Sequence, residues 1–380
     1  MLILVVIAPI SVWSDGNQWS YRRNSLCSIM IGHPEYKFSE ELEKMYRDIP
    51  MPERFNDHNL GVRVIEFGPS DKNDQTDNIN NFIEKVALPQ KIVNRWFSRD
   101  KRTGAFNMNL VRERGAYDAN IGDVQIAQKT LRGMALLEDA GEELIPNTYV
   151  VFNDIIYNSR SGVGSILKMF GSVYMGNIDG VQSSMQEIGG FKVTIRSYLY
   201  RLVWDDNIAT TFYNDYYFEE GREEQKIIAY QSSNLFKLQY VGVTESTESK
   251  TSFAGVKNPA EELRKILGRT IDKNLSDLMH KYPDFRIKAP MISADPLMAD
   301  VGIKEGIDES SEFEVLMPEY NQKGQLQYKR CGIVRPKKGR IKDNRYMVSI
   351  QDGIDSSFEA TEFEIVNGKD FIPGMLIREL

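Results

Sequence analysis

The chain reads as an α+β protein: a mixed α/β N-terminal and middle region, followed by a small all-β barrel or sandwich domain. Three observations lead there. Between Ser39 and Tyr157, stretches of helical period alternate with stretches of β-branched and aromatic residues. A long amphipathic segment starts at Asn258-Pro259, with a capping residue and a first-turn proline. Beyond Phe285 the helical period vanishes, and short alternating segments separated by turn signals replace it.

The segment from Met1 to Ser14 carries no charge and is nearly continuous hydrocarbon from Leu2 to Val12. A helix needs about 20 apolar residues to cross a bilayer, so this run is too short for an anchor. It matches the apolar region of a secretory signal, with Val12 and Ser14 placed before a cleavage at Asp15. The competing reading is a buried β-strand.

Residues 15–243 form the mixed α/β region. Ser39 caps a helix from Glu40 to Asp48, which Pro50 and Pro52 end. Leu60 to Phe67 alternates and reads as a strand, and Ser70 to Asp77 is a polar loop. Thr76 to Phe97 is helical with a break at Pro89. Phe106 to Arg112 reads as a strand with Phe106, Met108 and Leu110 on one face. From Asn120 to Ala140, Ile121, Val124, Ala127, Leu131, Met134 and Leu137 form a helical stripe that Gly141 stops. Asn147 to Tyr157 is a central strand, and Ile166 to Met175 a helix.

Gly190 to Trp204 and Ile208 to Tyr217 read as two aromatic strands, joined by a turn at Asp205-Asp206-Asn207. Leu235 to Val243 adds another strand. Residues 244–284 comprise a Ser/Thr/Glu/Lys-rich surface linker up to Val256 and then the long helix, which Pro283 ends. Residues 285–380 are the small antiparallel β domain. Its strands are expected at Glu312 to Met317, Leu326 to Val334, Arg345 to Ile350, Phe358 to Ile365 and Pro373 to Leu380.

Composition narrows function. The 380 residues contain 41% hydrophobic and 27% charged side chains, which is ordinary for a globular protein, and a chain of this length can hold more than one core. A net charge of −7 gives no electrostatic reason to bind nucleic acid. No apolar stretch after residue 14 is long enough for a transmembrane helix, so any membrane association is peripheral. Of the two cysteines, Cys27 follows Asn24-Ser25-Leu26, a poor setting for lipidation. Cys27 and Cys331 either form one bridge in an exported chain or stay as two free thiols.

Catalytic signals are sparse. There are three histidines, the usual proton carriers at neutral pH. His280 lies at a helix end beside Lys281, where a cation complements the dipole, and His33 precedes Pro34 in a turn-like segment. His58, in Asn56-Asp57-His58-Asn59, is the one with a neighbouring carboxylate, and is the histidine candidate for catalysis or for closing a loop. A Gly-x-Ser-x-Gly elbow is absent, as is metal-ligand spacing, and no cofactor is expected. Arg160-Ser-Gly-Val-Gly-Ser165 is the nearest approach to a phosphate loop, without its lysine. Asp118, Asp139, Glu142 and Glu143 are the carboxylates available for acid/base hydrolysis, although a charged helix end explains the last three as well. Tyr198, Tyr200, Trp204, Tyr213 and Tyr216 would form an aromatic binding face on the expected hairpin, or pack as cross-strand pairs. Lys337-Lys338-Gly339-Arg340 and Lys342 make a charged turn or a partner loop.

Four segments carry a resemblance: Gly115-Ala-Tyr-Asp118, Leu137 to Ile145, Asn147 to Asp154 and Phe371 to Arg378. Together they resemble exported cell-envelope proteins of anaerobic, gut-type Gram-negative bacteria. The resemblance implies export to the periplasm or outer membrane and assigns no activity to particular residues. The architecture is also similar to that of periplasmic accessories of flagellar assembly and curli secretion. The expected function is non-catalytic contact with envelope proteins or glycans; the alternative is a carboxylate-dependent hydrolase of a glycan or peptide.

Overall fold

A computed structural model describes residues 23–36, 39–67, 74–116, 131–159, 189–252, 258–320, 326–348 and 358–380. The fold is mixed α/β with two sheets. Asp118, the segment 1–14, the glycine-rich stretch 160–165 and the helix expected at Ile166 to Met175 lie outside the described residues.

The first sheet is built on β1 (Ser25–Gly32), all eight residues of which are buried. On one side β1 pairs in parallel with β2 (Asn56–Asp57) and β3 (Val64–Glu66). On the other it pairs in parallel with β4 (Thr148–Ser159). The sheet continues antiparallel through β5 (Gly189–Val203) and β6 (Lys237–Ser252). Helix α1 (Ser39–Arg47) shares one face of the sheet with the long C-terminal helix of this region, Pro259–Lys281. There Met45 and Leu263 meet Leu26, Val151 and Ile195. On the opposite face, α2 (Thr76–Lys85) and α3 (Leu88–Trp96) pack Ile79, Ile83 and Ile92 against Ile29, Phe152 and Tyr200.

Strand β1 escapes the sequence reading because Ser25, Cys27 and Ser28 look unlike a core. Their polar atoms are satisfied internally: Ser28 Oγ lies 2.6 Å from Tyr46 Oη and accepts from Asn153 Nδ2 at 3.0 Å. Buried hydroxyls are tolerated when so paired.

Several expectations need correction. Thr76 to Phe97 does break, but at Val86-Ala87, where Ala87 adopts φ +50°; Pro89 instead sits in the first turn of α3. Phe106 to Arg112 is not a strand. Asn107 Oδ1 accepts from Asn109 N at 3.1 Å and starts α4 (Asn109–Gly115). Gly141 lies inside α5 (Leu131–Glu142) rather than after it. The aromatic hairpin is absent too. Asp205 Oδ1 accepts from Ile208 N at 2.9 Å, so the Asp-Asp-Asn sequence caps α6 (Asp206–Thr211), and a π-helical turn follows at Phe212–Tyr216. Ile208 and Phe212, four residues apart, are both buried, a spacing that suits a helix face as well as a strand.

After α7 (Glu224–Gln231), β6 covers most of the supposed linker. Lys192 pairs with Ser249 and Thr194 with Thr247, so the polar sequence belongs to a strand with a wet surface. The boundary at 243 therefore falls inside β6, which runs on to Ser252. Helix α8 (Pro259–Lys281) caps on Asn258, whose Oδ1 accepts from Glu261 N at 3.2 Å, and buries its stripe on the first sheet.

Among the described residues the C-terminal sheet has six antiparallel strands: β7 (Ala289–Ala294), β8 (Leu297–Ala299), β9 (Phe313–Tyr320), β10 (Leu326–Pro336), β11 (Thr361–Gly368) and β12 (Leu376–Glu379). Their pairings run β10-β11-β8-β7-β12-β9 and return to β10. Strands β7 and β8 were not foreseen. Residues 345–348 form a turn rather than a strand, since they are drawn to α8 through Arg269, whose Nε donates to Tyr346 O at 3.0 Å.

Candidate functional site

In an open α/β sheet, a crevice forms where neighbouring parallel strands send their following chains to opposite faces. Here β1 leads to α1 on one face, whereas β3 leads to α2 and α3 on the other. The carboxyl ends of β1 and β3 therefore flank such a point, and His33 is the residue that follows β1.

His33 is buried, and its Nε2 lies 2.6 Å from Oδ1 of Asp154 on β4, itself 1% exposed. Its Nδ1 lies 3.5 Å from Glu35 Oε1. Tyr36 covers the imidazole at 4.8 Å between centroids, and Tyr157 meets Tyr36 edge-on at 5.4 Å. Burial alone presses the pKa of His33 down, but the hydrogen bond and charge of Asp154, helped by Glu35, leave it raised above 6.5. The ring is thus held between two carboxylates that favour its protonated form. Glu43 and Glu66 add acidity: burial and then the Glu66 charge raise the pKa of Glu43. A Cβ on Gly32 would come within 2.9 Å of Glu43 Oε1, so glycine lets the acid lie against the strand end.

This pair predicts a pH response. A histidine whose pKa is raised by folding adds stability fully present below its unfolded value of about 6.5, and lost as pH rises through the folded value. Wild-type protein should therefore lose stability between the two values while His33→Gln stays flatter, as read by urea midpoints. In Asp154→Asn the NMR titration of His33 should move to lower pH, because the hydrogen bond and charge of Asp154 are what raise it; an unmoved titration would sink the pairing.

The residues singled out from the sequence are distributed as follows. His58 is fully buried, and burial followed by the Arg114 charge holds its pKa well below the usual histidine range. Its neutral ring donates from Nε2 to Ile92 O at 3.1 Å and accepts at Nδ1 from Arg114 Nη1 at 3.0 Å. Arg114 also donates to Ser25 Oγ and stacks 4.3 Å over Trp96, so this assembly ties α3 and α4 to the start of β1. Both ring nitrogens are engaged inside the protein, in the manner of a histidine that closes a loop. His280 bonds Glu379 across 2.9 Å.

Asp139 and Glu143 are exposed on α5 or just beyond it. Glu142 accepts from Tyr213 Oη at 2.7 Å, and burial raises its pKa despite that bond. Glu138 pairs with Arg112. The five aromatic candidates do not form one exposed face. Tyr198 and Tyr200 are buried on β5, and Trp204, Tyr213 and Tyr216 are half-buried around Phe97, Phe212 and Phe236.

Burial pushes the Cys27 thiol up to about 12, which makes it inert as a nucleophile. Both cysteines are free. Among the described residues, no group of three metal-ligand side chains gathers and no helix is long and apolar enough to cross a membrane.

The sequence reading missed Asp154, and set His33 aside, because the strand before His33 went unrecognised. The available signal was the apolar triplet Ile29-Met30-Ile31 running into Gly32-His33. No family model matches the chain, and no curated protein is similar to it in sequence.

Proposed function

We propose that this chain is a non-catalytic, exported binding protein of the cell envelope, with its contact site at the crevice between the ends of β1 and β3. The observation that supports this reading most is His33, whose ring is held between Asp154 Oδ1 at 2.6 Å and Glu35 Oε1 at 3.5 Å. Both ring nitrogens are turned to the protein's own carboxylates. The surrounding Glu35, Glu43 and Glu66 favour a positively charged group on the partner. In this reading the closed circuit of C-terminal strands is a small barrel that offers a second contact surface.

Capture from an envelope fraction tests the proposal. Wild-type protein should recover a partner after crosslinking, and a Glu43→Gln/Glu66→Gln variant should recover at least tenfold less. Recovery of the protein alone, or its exclusive presence in the cytosol of fractionated cells, would sink the reading.

One observation favours the hydrolase alternative. Glu142 is half-buried against Tyr213 Oη at 2.7 Å, and burial raises its pKa, as suits a general acid. If a glycan or peptide is turned over, Glu142→Gln should abolish it; unchanged turnover would exclude this site.

A further inference from the structure

A groove of about 620 Å³ lies between the α2–α3 corner and the turn that leads from α7 into β6. Three of its polar groups already have a partner inside the protein, which fixes the role each can play outward.

Asn80 Oδ1 accepts from Tyr200 Oη at 3.1 Å, so its amide NH2 is the end left to donate. Gln90 uses Nε2 to donate to Tyr230 O at 3.0 Å and to Ser233 O at 2.8 Å, which leaves Oε1 as an acceptor. Ser233 Oγ accepts from Tyr216 Oη at 3.0 Å and from Leu235 N at 3.1 Å, so its own proton points to other partners. The groove therefore presents a donor, an acceptor and a donor, none carrying charge. Pro89 and Phe236 supply apolar wall between them, and Trp204 backs Phe236 at 6.2 Å with the rings 12° from parallel.

Fixed neutral hydrogen-bonding groups beside apolar surface suit a ligand with many hydroxyls and a C–H face. Glu84 and Lys237 also line the groove, one acid and one base, so the lining carries no net charge. We infer that this groove is a subsite for a neutral sugar unit, bound by Asn80, Gln90 and Ser233 and flanked by Pro89 and Phe236. Tyr200 and Tyr216 are positioning residues that hold Asn80 and Ser233 from behind. The inference rests on the reading of the chain as a binding protein and names the ligand class at a second place on it.

The test is a neutral-glycan array followed by calorimetric titration of the disaccharides cellobiose, maltose, lactose and chitobiose with full-length protein. At least one array glycan should bind, and Asn80→Asp, which replaces the donor by an acceptor of the same shape, should weaken it at least tenfold. Tyr200→Phe keeps the ring and removes the lock, so it should weaken binding several-fold while urea stability changes little. Unaltered binding in Asn80→Asp overturns the groove assignment. So does an array without any bound neutral glycan, even when envelope capture through the Glu43/Glu66 crevice succeeds. Glycan binding lost in Glu43→Gln/Glu66→Gln but kept in Asn80→Asp would place the sugar at the crevice and also overturn it.

Discussion

Gly141→Ala should destabilise the protein by about 2–3 kcal/mol, seen as a lower urea midpoint with an unchanged slope. The sign is the informative part. In a solvent-facing helix interior, the same change would stabilise by up to about 1 kcal/mol, because alanine is the better helix former. Here the added Cβ would sit 2.0 Å from the carbonyl oxygen of Val111, which is backbone and cannot rotate away. The contact is reciprocal, since a Cβ on Gly115 would lie 2.0 Å from Leu137 O. Helices α4 and α5 thus cross on two glycines, and either substitution must push them apart. That separation would also pull Glu138 from Arg112, a side-chain pair spanning the same crossing. A gain in stability, or a change within about 0.5 kcal/mol, would show that the helices do not approach this closely.

Arg54→Ala should cost about 3 kcal/mol and loosen the β domain from the α/β region. Arg54 is buried where the chain leaves α1, and its Nη2 lies 2.7 Å from Asp300 Oδ2 of the β domain. Its Nε also faces Glu305 Oε1 at 3.8 Å. Removing the cation leaves two acids at the junction. Lys342 retains a hold on Asp300 at 2.7 Å, and Asn344 on Glu305 at 2.8 Å, which keeps the cost below that of a fully orphaned pair. Breaking a buried ion pair by deleting one partner costs more than replacing the whole assembly. Arg54→Met combined with Asp300→Leu should therefore recover part of the loss. Limited proteolysis near residue 285 should accelerate in Arg54→Ala and slow again in the double variant. Equal protection in all three would mean that the junction is held by the apolar contacts of Phe285 alone, including its stack on Phe55 at 5.1 Å.

Regular elements with strong local signals were legible. The helix from Pro259 carries its cap, its proline and a stripe of leucines in the sequence, and each acts as expected in α8. The same holds for β4, where Tyr149 to Ile155 is a near-continuous apolar run in the centre of the sheet. Elements whose local chemistry serves two purposes were not. Asp205 can turn a hairpin or cap a helix, and the aromatic cluster around Phe212 decides for the helix because that geometry brings Phe97, Trp204 and Phe236 into contact. Glu245 and Thr247 to Ser249 look solvated and are exposed, yet pairing with β5 makes this stretch a strand.

What the amino-acid order determines alone is periodicity and capping: which segments can be helices, which can be strands, and that a helical half gives way to a β-rich end. Only the tertiary structure decides the site, because it depends on side chains 121 positions apart: His33 reaches Asp154 through the parallel pairing of β1 and β4. Local composition cannot encode such a meeting. It arises when the sheet closes, water leaves the strand ends, and an imidazole is brought between Asp154 and Glu35, which raise its pKa against the effect of burial.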